Sequence, residues 1–291
     1  ANFESRSDLA PLHNPAGLGG YRAFKEALPE CVHTFVFDTA FHSTMAPDTY
    51  MYALPYEYYE KYQIRRYGFH GTSHKYVSMR CAQLMDRDIK DMKIITCHLG
   101  NGASITAVDG GKSANTSMGF TPLAGVMMGT RSGDIDPAIV TFLQKKEGLS
   151  AEEEEDIMNK KSGMLGVSGV SSDGRDVESA AKEGNPRALL TESMYANRVM
   201  SYVGAYFAQL GGLDAIVFTG GIGENDGNMR KRICDRLGAL GVVLDDEAND
   251  GTRGVEKCLS AQESKVAVWL IPTNEELMIA RDAYQFVTEK A

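Results

Sequence analysis

The sequence has few features of a secreted, membrane-bound or nucleic-acid-binding protein. No apolar run approaches the ~20 residues that a membrane-spanning helix needs. The net charge of −9 argues against nucleic acid or an anionic membrane as the main partner. The cysteines are odd in number and form no CxxC pair, which favours reduced thiols in a cytoplasmic protein: Cys31, Cys81, Cys97, Cys234 and Cys258.

Several common catalytic motifs are also missing. There is no GxxxxGK[ST] loop, no GxSxG elbow, and the segment GGIGEN at 220–225 lacks the third glycine of a dinucleotide fingerprint. No Cys/His cluster has the spacing of a transition-metal site, so a hard cation held by carboxylates is the better hypothesis. The remaining candidates for a catalytic or binding role are therefore the glycine-rich turns and the acidic side chains.

Residues 94–137 contain the densest set of glycine turns. An apolar strand over 94–98 leads into Gly100-Asn101-Gly102, and a second strand, a turn at 109–111 and a third strand through residue 115 follow. Glycine lacks a Cβ and lets backbone N–H groups approach an anion closely. The first turn is therefore typical of either a plain hairpin or a phosphate site, and Arg131 lies on a polar loop downstream.

The rest of the chain predicts a mixed α/β fold. A second glycine turn, at 220–225, follows an apolar strand and opens a helix. Thr72 is a candidate N-cap for a helix over 73–86, and Thr273 with Glu276 fits a capping box at the C-terminal helix. The remaining predicted elements are strands over 32–37, 213–219 and 266–271 and a long helix over 187–210.

Acidic and basic side chains occupy predicted strand ends and loops. Phosphoryl transfer requires carboxylates that hold a metal with the nucleotide, cations on the equatorial oxygens, and an aligned acceptor. The candidates for these roles are Asp38, His70, Arg131, Asp173, Arg175 and Glu275.

Nine motifs, in the same order along the chain, resemble those of the acetate kinase family of the actin/sugar-kinase/heat-shock ATPase superfamily. They are APLHNP, FDTAFH, YGFHGTSH, CHLGNGAS, TPLAG, MGTRSGDIDP, SSDGRDVE, FTGGIGEN and PTNEEL. The resemblance implies a ribonuclease H-like (actin-like ATPase) domain, with a mixed five-stranded sheet flanked by helices, plus remnants of a second such domain. It also implies reversible transfer of the γ-phosphoryl group of ATP to acetate, with Mg²⁺ (or Mn²⁺), giving acetyl phosphate and ADP.

The resemblance assigns roles to residues at matching motif positions. Arg131 and His70 resemble the residues that stabilise the transferring phosphoryl group, Asp38 resembles the active-site aspartate, and Glu275 the glutamate that organises Mg²⁺. The acetate site would comprise Leu12, His13, Phe69 and Pro122. The ATP site would comprise His98, Asn101, Gly102, Asp173, Arg175, Gly221, Ile222, Gly223 and Asn225.

Some of these residues have plain structural alternatives. His74 and His98 fit capping or strand-end roles about as well as substrate contact, while His33 and His42 have no special expectation. Arg175 could instead form a surface ion pair with Asp176 or another nearby acid.

Two family motifs, N-x-G-S-S-S-x-K and HRxVHGG, do not occur in this sequence. We therefore expect residues 1–40 to be a remnant of an N-terminal domain, 41–273 to be a C-terminal nucleotide-binding and dimerisation domain, and 274–291 to be a helix that packs back on the first domain. On this interpretation most of the N-terminal domain is absent, nucleotide binding is weak, and kinase activity of this chain alone is low. The family forms homodimers, so a homodimer is expected. The alternatives are a propionate or butyrate kinase and a non-catalytic nucleotide-binding dimerisation fragment.

Overall fold

The computed structural model describes residues 14–288, so Leu12 and His13 lie outside the described residues. Two compact units are present: residues 14–36 with 279–288 belong to the smaller unit, and residues 37–278 form the larger. In the smaller unit, the ring of Tyr21 contacts the rings of His33 and Phe35, with centroid distances of 5.8 and 5.0 Å.

The helices and strands occur in runs along the described chain. The helices are α1 (Asn14–Ala27), α2 (Pro47–Tyr50), α3 (Tyr56–Tyr62), α4 (Gly71–Leu84), α5 (Pro137–Glu147), α6 (Ala151–Lys160), α7 (Gly163–Ser168), α8 (Gly174–Lys182), α9 (Pro186–Leu210), α10 (Gly220–Asn225), α11 (Gly227–Cys234), α12 (Asp246–Asn249) and α13 (Glu275–Thr288). The strands are β1 (Lys93–Leu99), β2 (Ala103–Asp109), β3 (Lys112–Thr116), β4 (Ala215–Thr219), β5 (Lys257–Cys258) and β6 (Ala267–Leu270). Over residues 14–288, no helix has the length and apolar character needed to cross a bilayer.

A single mixed sheet forms the centre of the larger unit, in the order β3-β2-β1-β4-β6-β5. β1 pairs antiparallel with β2 and parallel with β4, and β4 pairs parallel with β6. This confirms the predicted α/β class with a mixed sheet flanked by helices. Five strands match the expected number, and the sixth is the two-residue edge strand β5, which is too short to leave a periodic pattern in the sequence.

Helices cover both faces of the sheet. Successive side chains of a strand point to opposite faces, so one strand contributes side chains to the cores on both sides. Ile95, Cys97 and Leu99 of β1 pack in one core with α9, whereas Ile94 packs in a second core with α4. β1 and β4 run in the same direction between these layers, so their carboxyl ends open at one edge of the sheet, where α/β folds commonly bind ligands.

The predicted strand over 32–37 is wrong, since these residues form no strand. Val32 is 69% exposed and Phe35 is 45% exposed. A strand needs a hydrogen-bonded neighbour, and every strand of the described residues belongs to the sheet above. The apolar residues of this segment alone therefore overstated the local order.

Both predicted helix caps are also wrong. α4 begins at Gly71 with His70 as its N-cap, so Thr72 lies inside the first turn. α13 is capped by Asn274, whose Oδ1 accepts the N–H of Leu277 at 3.0 Å, whereas the buried hydroxyl of Thr273 has no hydrogen-bond partner within residues 14–288.

Candidate functional site

Two tight turns meet at the carboxyl ends of β1 and β4. Between β1 and β2, the N–H of Gly100 donates to the carbonyl of Gly102 at 3.0 Å. After β4, Gly220 adopts a φ of +76°, and a Cβ there would come within 3.0 Å of backbone atoms of Leu99. Glycine alone fits that position comfortably, so both glycine turns predicted from the sequence lie side by side.

A carboxylate that the sequence interpretation missed braces the second turn. Oε1 of Glu224 accepts the N–H of Gly220 at 2.9 Å, the hydroxyl of Thr219 at 3.2 Å and the N–H of Thr273 at 3.3 Å. Glu224 thus connects the end of β4 with the segment that leads into Glu275. Its position inside GGIGEN was the only sequence signal for this role.

Beside the two turns lies a cleft of about 660 Å³, within the size range of small-molecule sites. Six of the predicted ATP-site residues line it: Asn101, Asp173, Arg175, Gly221, Ile222 and Asn225. Gly102, Gly223 and His98 are not among the lining residues. Gly100, Gly174, Glu178, Asp226 and Arg253 line it without having been predicted as site residues, and Arg253 lies in a loop with no motif.

At the rim of this cleft, Arg175 forms an ion pair with Asp173. The partner is thus Asp173 rather than Asp176, and hydrogen bonds from the side chain and backbone of Arg175 lower the pKa of Asp173 to about 2. The Arg175 side chain is 90% exposed, so this pair adds little to stability and leaves the guanidinium accessible to a ligand.

His70 and Arg131 converge on the first turn. A Cβ placed on Gly102 would lie 3.3 Å from Nε2 of His70 and 3.5 Å from Nη1 of Arg131. The missing side chain therefore leaves a small space bounded by a ring nitrogen, a guanidinium and backbone. An oxyanion in this space would meet donors from several directions, which is the arrangement that electrostatic stabilisation requires.

Asp38 holds His70 in place through the backbone. Its Oδ2 accepts the N–H of His70 at 2.7 Å, and its carbonyl accepts the N–H of Gly71 at 2.8 Å. These bonds explain how His70 keeps a left-handed conformation with φ +55°, which is costly for a non-glycine residue, at the start of α4.

Arg131 is partly buried on a turn in which the N–H of Met128 donates to the Arg131 carbonyl at 3.0 Å. Its Nη1 donates to the carbonyl of Pro122 at 3.2 Å, which brings that predicted pocket residue beside the guanidinium. Burial lowers the pKa of Arg131, although a guanidinium stays charged in proteins. Phe69 immediately precedes His70 and packs against the core.

Four histidine rings cluster behind this space. The rings of His70 and His98 stack with centroids 4.2 Å apart, and His42 and His74 lie 5.8 Å from one another. Burial, followed by the charge of Arg131, lowers the pKa of His70 to about 4, and burial, followed by His70, lowers that of His98 to about 3. Burial also lowers the pKa of His42 to about 4. All three are therefore neutral at pH 7.

Two carboxylates complete the site. Burial raises the pKa of Glu275, and the neighbouring charges of Asp38 and then Glu276 raise it further, so Glu275 and Asp38 share one electrostatic environment. Within residues 14–288, no group of three or more His, Cys, Asp or Glu side chains is arranged to hold a metal ion. Magnesium needs only one or two carboxylates when nucleotide phosphates supply further oxygens, so this donor set fits such an ion.

Known acetate kinases are similar to this chain in both sequence and structure. The acetate kinase of Halothermothrix orenii is 57% identical over 98% of this chain and 71% of its own length. The acetate kinase structure from Porphyromonas gingivalis superposes with a TM-score of 0.96 at 51% identity, over 98% of this chain and 71% of that one. A propionate kinase structure from Francisella tularensis gives 0.89 at 45% identity, over 96% and 71%. The model of the acetokinase family matches residues 1–281, and the chain belongs to that family.

Proposed function

We propose that this chain transfers the γ-phosphoryl group of ATP to acetate, reversibly giving acetyl phosphate and ADP. An acetate oxygen forms the new bond to phosphorus while the bond to the β–γ bridging oxygen breaks. The observation that carries this proposal is the convergence of Arg131 and His70 on Gly102, next to a cleft that can hold a nucleotide. Catalysis of this kind rests on positioning and on charge stabilisation by preorganised donors.

Each site residue has a role that follows from its functional group. The Arg131 guanidinium presents fixed N–H donors to the equatorial oxygens or the acetate carboxylate. His70 is neutral, so it acts as a hydrogen-bond donor without adding a second cation beside Arg131. Asp38 holds the backbone that carries His70.

Glu275, next to Asp38, would help to hold Mg²⁺, which when bound neutralises phosphate charge and orients the β- and γ-phosphates. On the other side of the glycine turns, Asp173, Arg175, Gly221, Ile222 and Asn225 would hold the nucleoside, while His98, Asn101, Gly102 and Gly223 would lie along the phosphates.

A longer carboxylate is the second candidate acceptor, because a propionate kinase is among the structural neighbours. Phe69 and Pro122 would line a small apolar pocket that accepts one methyl group. Comparison of kcat/KM for acetate, propionate and butyrate tests the assignment. We expect acetate to be preferred, because a pocket shaped for a methyl group must shift to admit each added methylene. A preference for propionate or butyrate would reassign the acceptor.

A non-catalytic nucleotide-binding module is the alternative of another class. Calorimetric titration with ATP and Mg²⁺ separates the two possibilities when it is paired with the rate measurement. ATP binding without acyl phosphate formation would support the module, and formation of acyl phosphate supports the kinase.

We propose that the protein is cytoplasmic and forms a homodimer. The described cysteines are all free, which is usual for a reducing compartment. Ile135, Ile139 and Phe142 form an exposed apolar stripe at and along α5, with exposures of 38%, 43% and 56%. Ile139 and Phe142 are three residues apart and lie on one face of α5, and Ile135 comes just before the helix begins. Such a stripe suits burial against a second copy.

A further inference from the structure

A continuous line of hydrogen bonds runs from Nδ1 of His70 into the core of the sheet. Nδ1 of His70 lies 2.8 Å from Oγ of Ser104, which lies 2.7 Å from Nε2 of His74. Nδ1 of His74 in turn lies 2.7 Å from Oγ1 of Thr96. Ser104, His74 and Thr96 are fully buried, so water cannot substitute for any of these partners.

Each neutral imidazole has one N–H donor and one acceptor nitrogen. Within residues 14–288 the buried Ser104 hydroxyl has no hydrogen-bond partner besides the two histidines, so its proton goes to one of them and the line has two consistent directions. In the first, Thr96 donates to His74, His74 donates to Ser104, and Ser104 donates to Nδ1 of His70, which leaves the His70 proton on Nε2. In the second, every bond is reversed, and the Thr96 hydroxyl must donate elsewhere.

The geometry favours the first direction. The only other acceptor beside the Thr96 hydroxyl within the described residues is the carbonyl of Thr106, at 3.5 Å. That distance is well beyond the 2.5–3.0 Å typical of a hydroxyl donor, whereas Nδ1 of His74 lies at 2.7 Å. The Thr96 proton therefore has its best acceptor in His74.

This direction matters because Arg131 acts against it. The guanidinium faces Nε2 of His70 across Gly102, and its positive charge favours a lone pair rather than an N–H on that nitrogen. Without the hydrogen bond from Ser104, the ring would shift toward the tautomer that has no donor facing the site.

We propose that Thr96, His74 and Ser104 form a relay that fixes His70 as the Nε2–H tautomer, so that its ring donates to the oxygen of the transferring group. The three are positioning residues, since they act through His70. The relay stands on its own geometry, whereas the identity of the accepting oxygen rests on the proposed function.

The test is ¹⁵N NMR of histidine-labelled protein at pH 7 without substrates, with His70 assigned from the resonances lost in His70→Gln. We expect Nε2 of His70 to carry the proton in the unaltered chain. Ser104→Ala should raise the fraction protonated at Nδ1, and Ser104→Thr, which keeps the hydroxyl, should restore the original state. An unaltered chain with His70 protonated at Nδ1 overturns the proposal, and this measurement decides even if Ser104→Ala does not fold.

Ser113→Ala is the matched control. The Ser113 hydroxyl lies 2.9 Å from Nδ1 of His42 in the same cluster and is equally buried, but it has no bond to His70. The control should leave the His70 tautomer unchanged. An unchanged tautomer in Ser104→Ala, or an equal shift in Ser113→Ala, contradicts the relay.

Kinetics adds a second readout. Ser104→Ala should lower kcat roughly tenfold or more with KM for ATP and acetate nearly unchanged, because a single preorganised donor contributes ~10²–10³ to kcat and the variant retains part of it. A rise in KM with constant kcat contradicts a positioning role. Because the tautomer is read without substrates, absence of acyl phosphate formation would contradict the proposed function and leave the tautomer result standing.

Discussion

At the residue scale, Arg131 offers the strongest single point of control. Replacing it with alanine removes the one guanidinium beside Gly102 among the described residues, and we expect kcat to fall by at least ~10²-fold, about 3 kcal/mol of transition-state stabilisation. Arg131→Lys should recover little of this, because an ammonium cannot reproduce two fixed N–H donors.

Arg175→Ala is the comparison for that substitution. Its side chain is largely exposed and paired with Asp173, so its loss should raise KM for ATP with little effect on kcat. Steady-state kinetics of the three variants measures both effects. Equal losses of kcat in Arg131→Ala and Arg175→Ala would contradict the assignment of Arg131 to the reacting group.

The second prediction at this scale concerns acid stability. His42 is fully buried, its Nε2–H donates to the carbonyl of Phe69 at 2.9 Å, and its pKa is lowered to about 4. An unfolded chain has a histidine pKa of ~6.5 and therefore binds more protons between these two values. The stabilisation from keeping His42 neutral is complete above pH ~6.5 and is lost as the pH falls toward 4, by roughly 3 kcal/mol.

Measurement of the free energy of unfolding from pH 7 to pH 4 checks this expectation. His42→Gln keeps an N–H donor and does not titrate, so its stability should fall less steeply over this range. Parallel curves for the variant and the unaltered chain would contradict the assignment.

At the element scale, the turn from β4 to α10 depends on Glu224. Glu224→Ala removes an acceptor of three hydrogen bonds and should lower the free energy of unfolding by about 1–3 kcal/mol and weaken ATP binding. Glu224→Gln keeps an acceptor oxygen, so its free energy of unfolding and its ATP affinity should lie between those of Glu224→Ala and the unaltered chain. Chemical denaturation and calorimetric titration give both quantities.

Glu247→Ala, at an exposed position of α12, is the matched control and should leave both quantities close to those of the unaltered chain. If ATP affinity is equal in Glu224→Ala and in this control, the turn does not depend on the carboxylate.

The elements also show what the sequence could and could not predict. β1, β2 and β3 were predictable because a short-range pattern of apolar residues and glycine turns specifies a meander. The cap of α4 was not, because the group that satisfies its first N–H bonds is Asp38, 32 residues before His70. The place of His42 in the histidine cluster could not be predicted for the same reason, since its partner Ser113 is 71 residues away.

At the scale of the whole molecule, the expected homodimer makes the stripe on α5 testable. Phe142→Lys replaces an apolar side chain that is 56% exposed with a charged one. The change should weaken dimerisation by several kcal/mol and leave the fold of the monomer intact. Sedimentation velocity should show a dimer for the unaltered chain and a monomer for the variant. Lys145→Glu, on the same helix, serves as the charge control, and a dimer in all three samples would place the interface elsewhere.

Formation of an acyl phosphate from ATP and acetate is the reaction that we propose for this molecule. The most direct measurement traps the product with hydroxylamine in the presence of Mg²⁺. It compares hydroxamate formation with ATP and acetate, with either one omitted, and in Arg131→Ala. We predict hydroxamate that requires both ATP and acetate and that is lost in Arg131→Ala. Hydroxamate that forms at an unchanged rate in Arg131→Ala, or no hydroxamate from an unaltered chain that binds ATP, would contradict the proposed kinase activity.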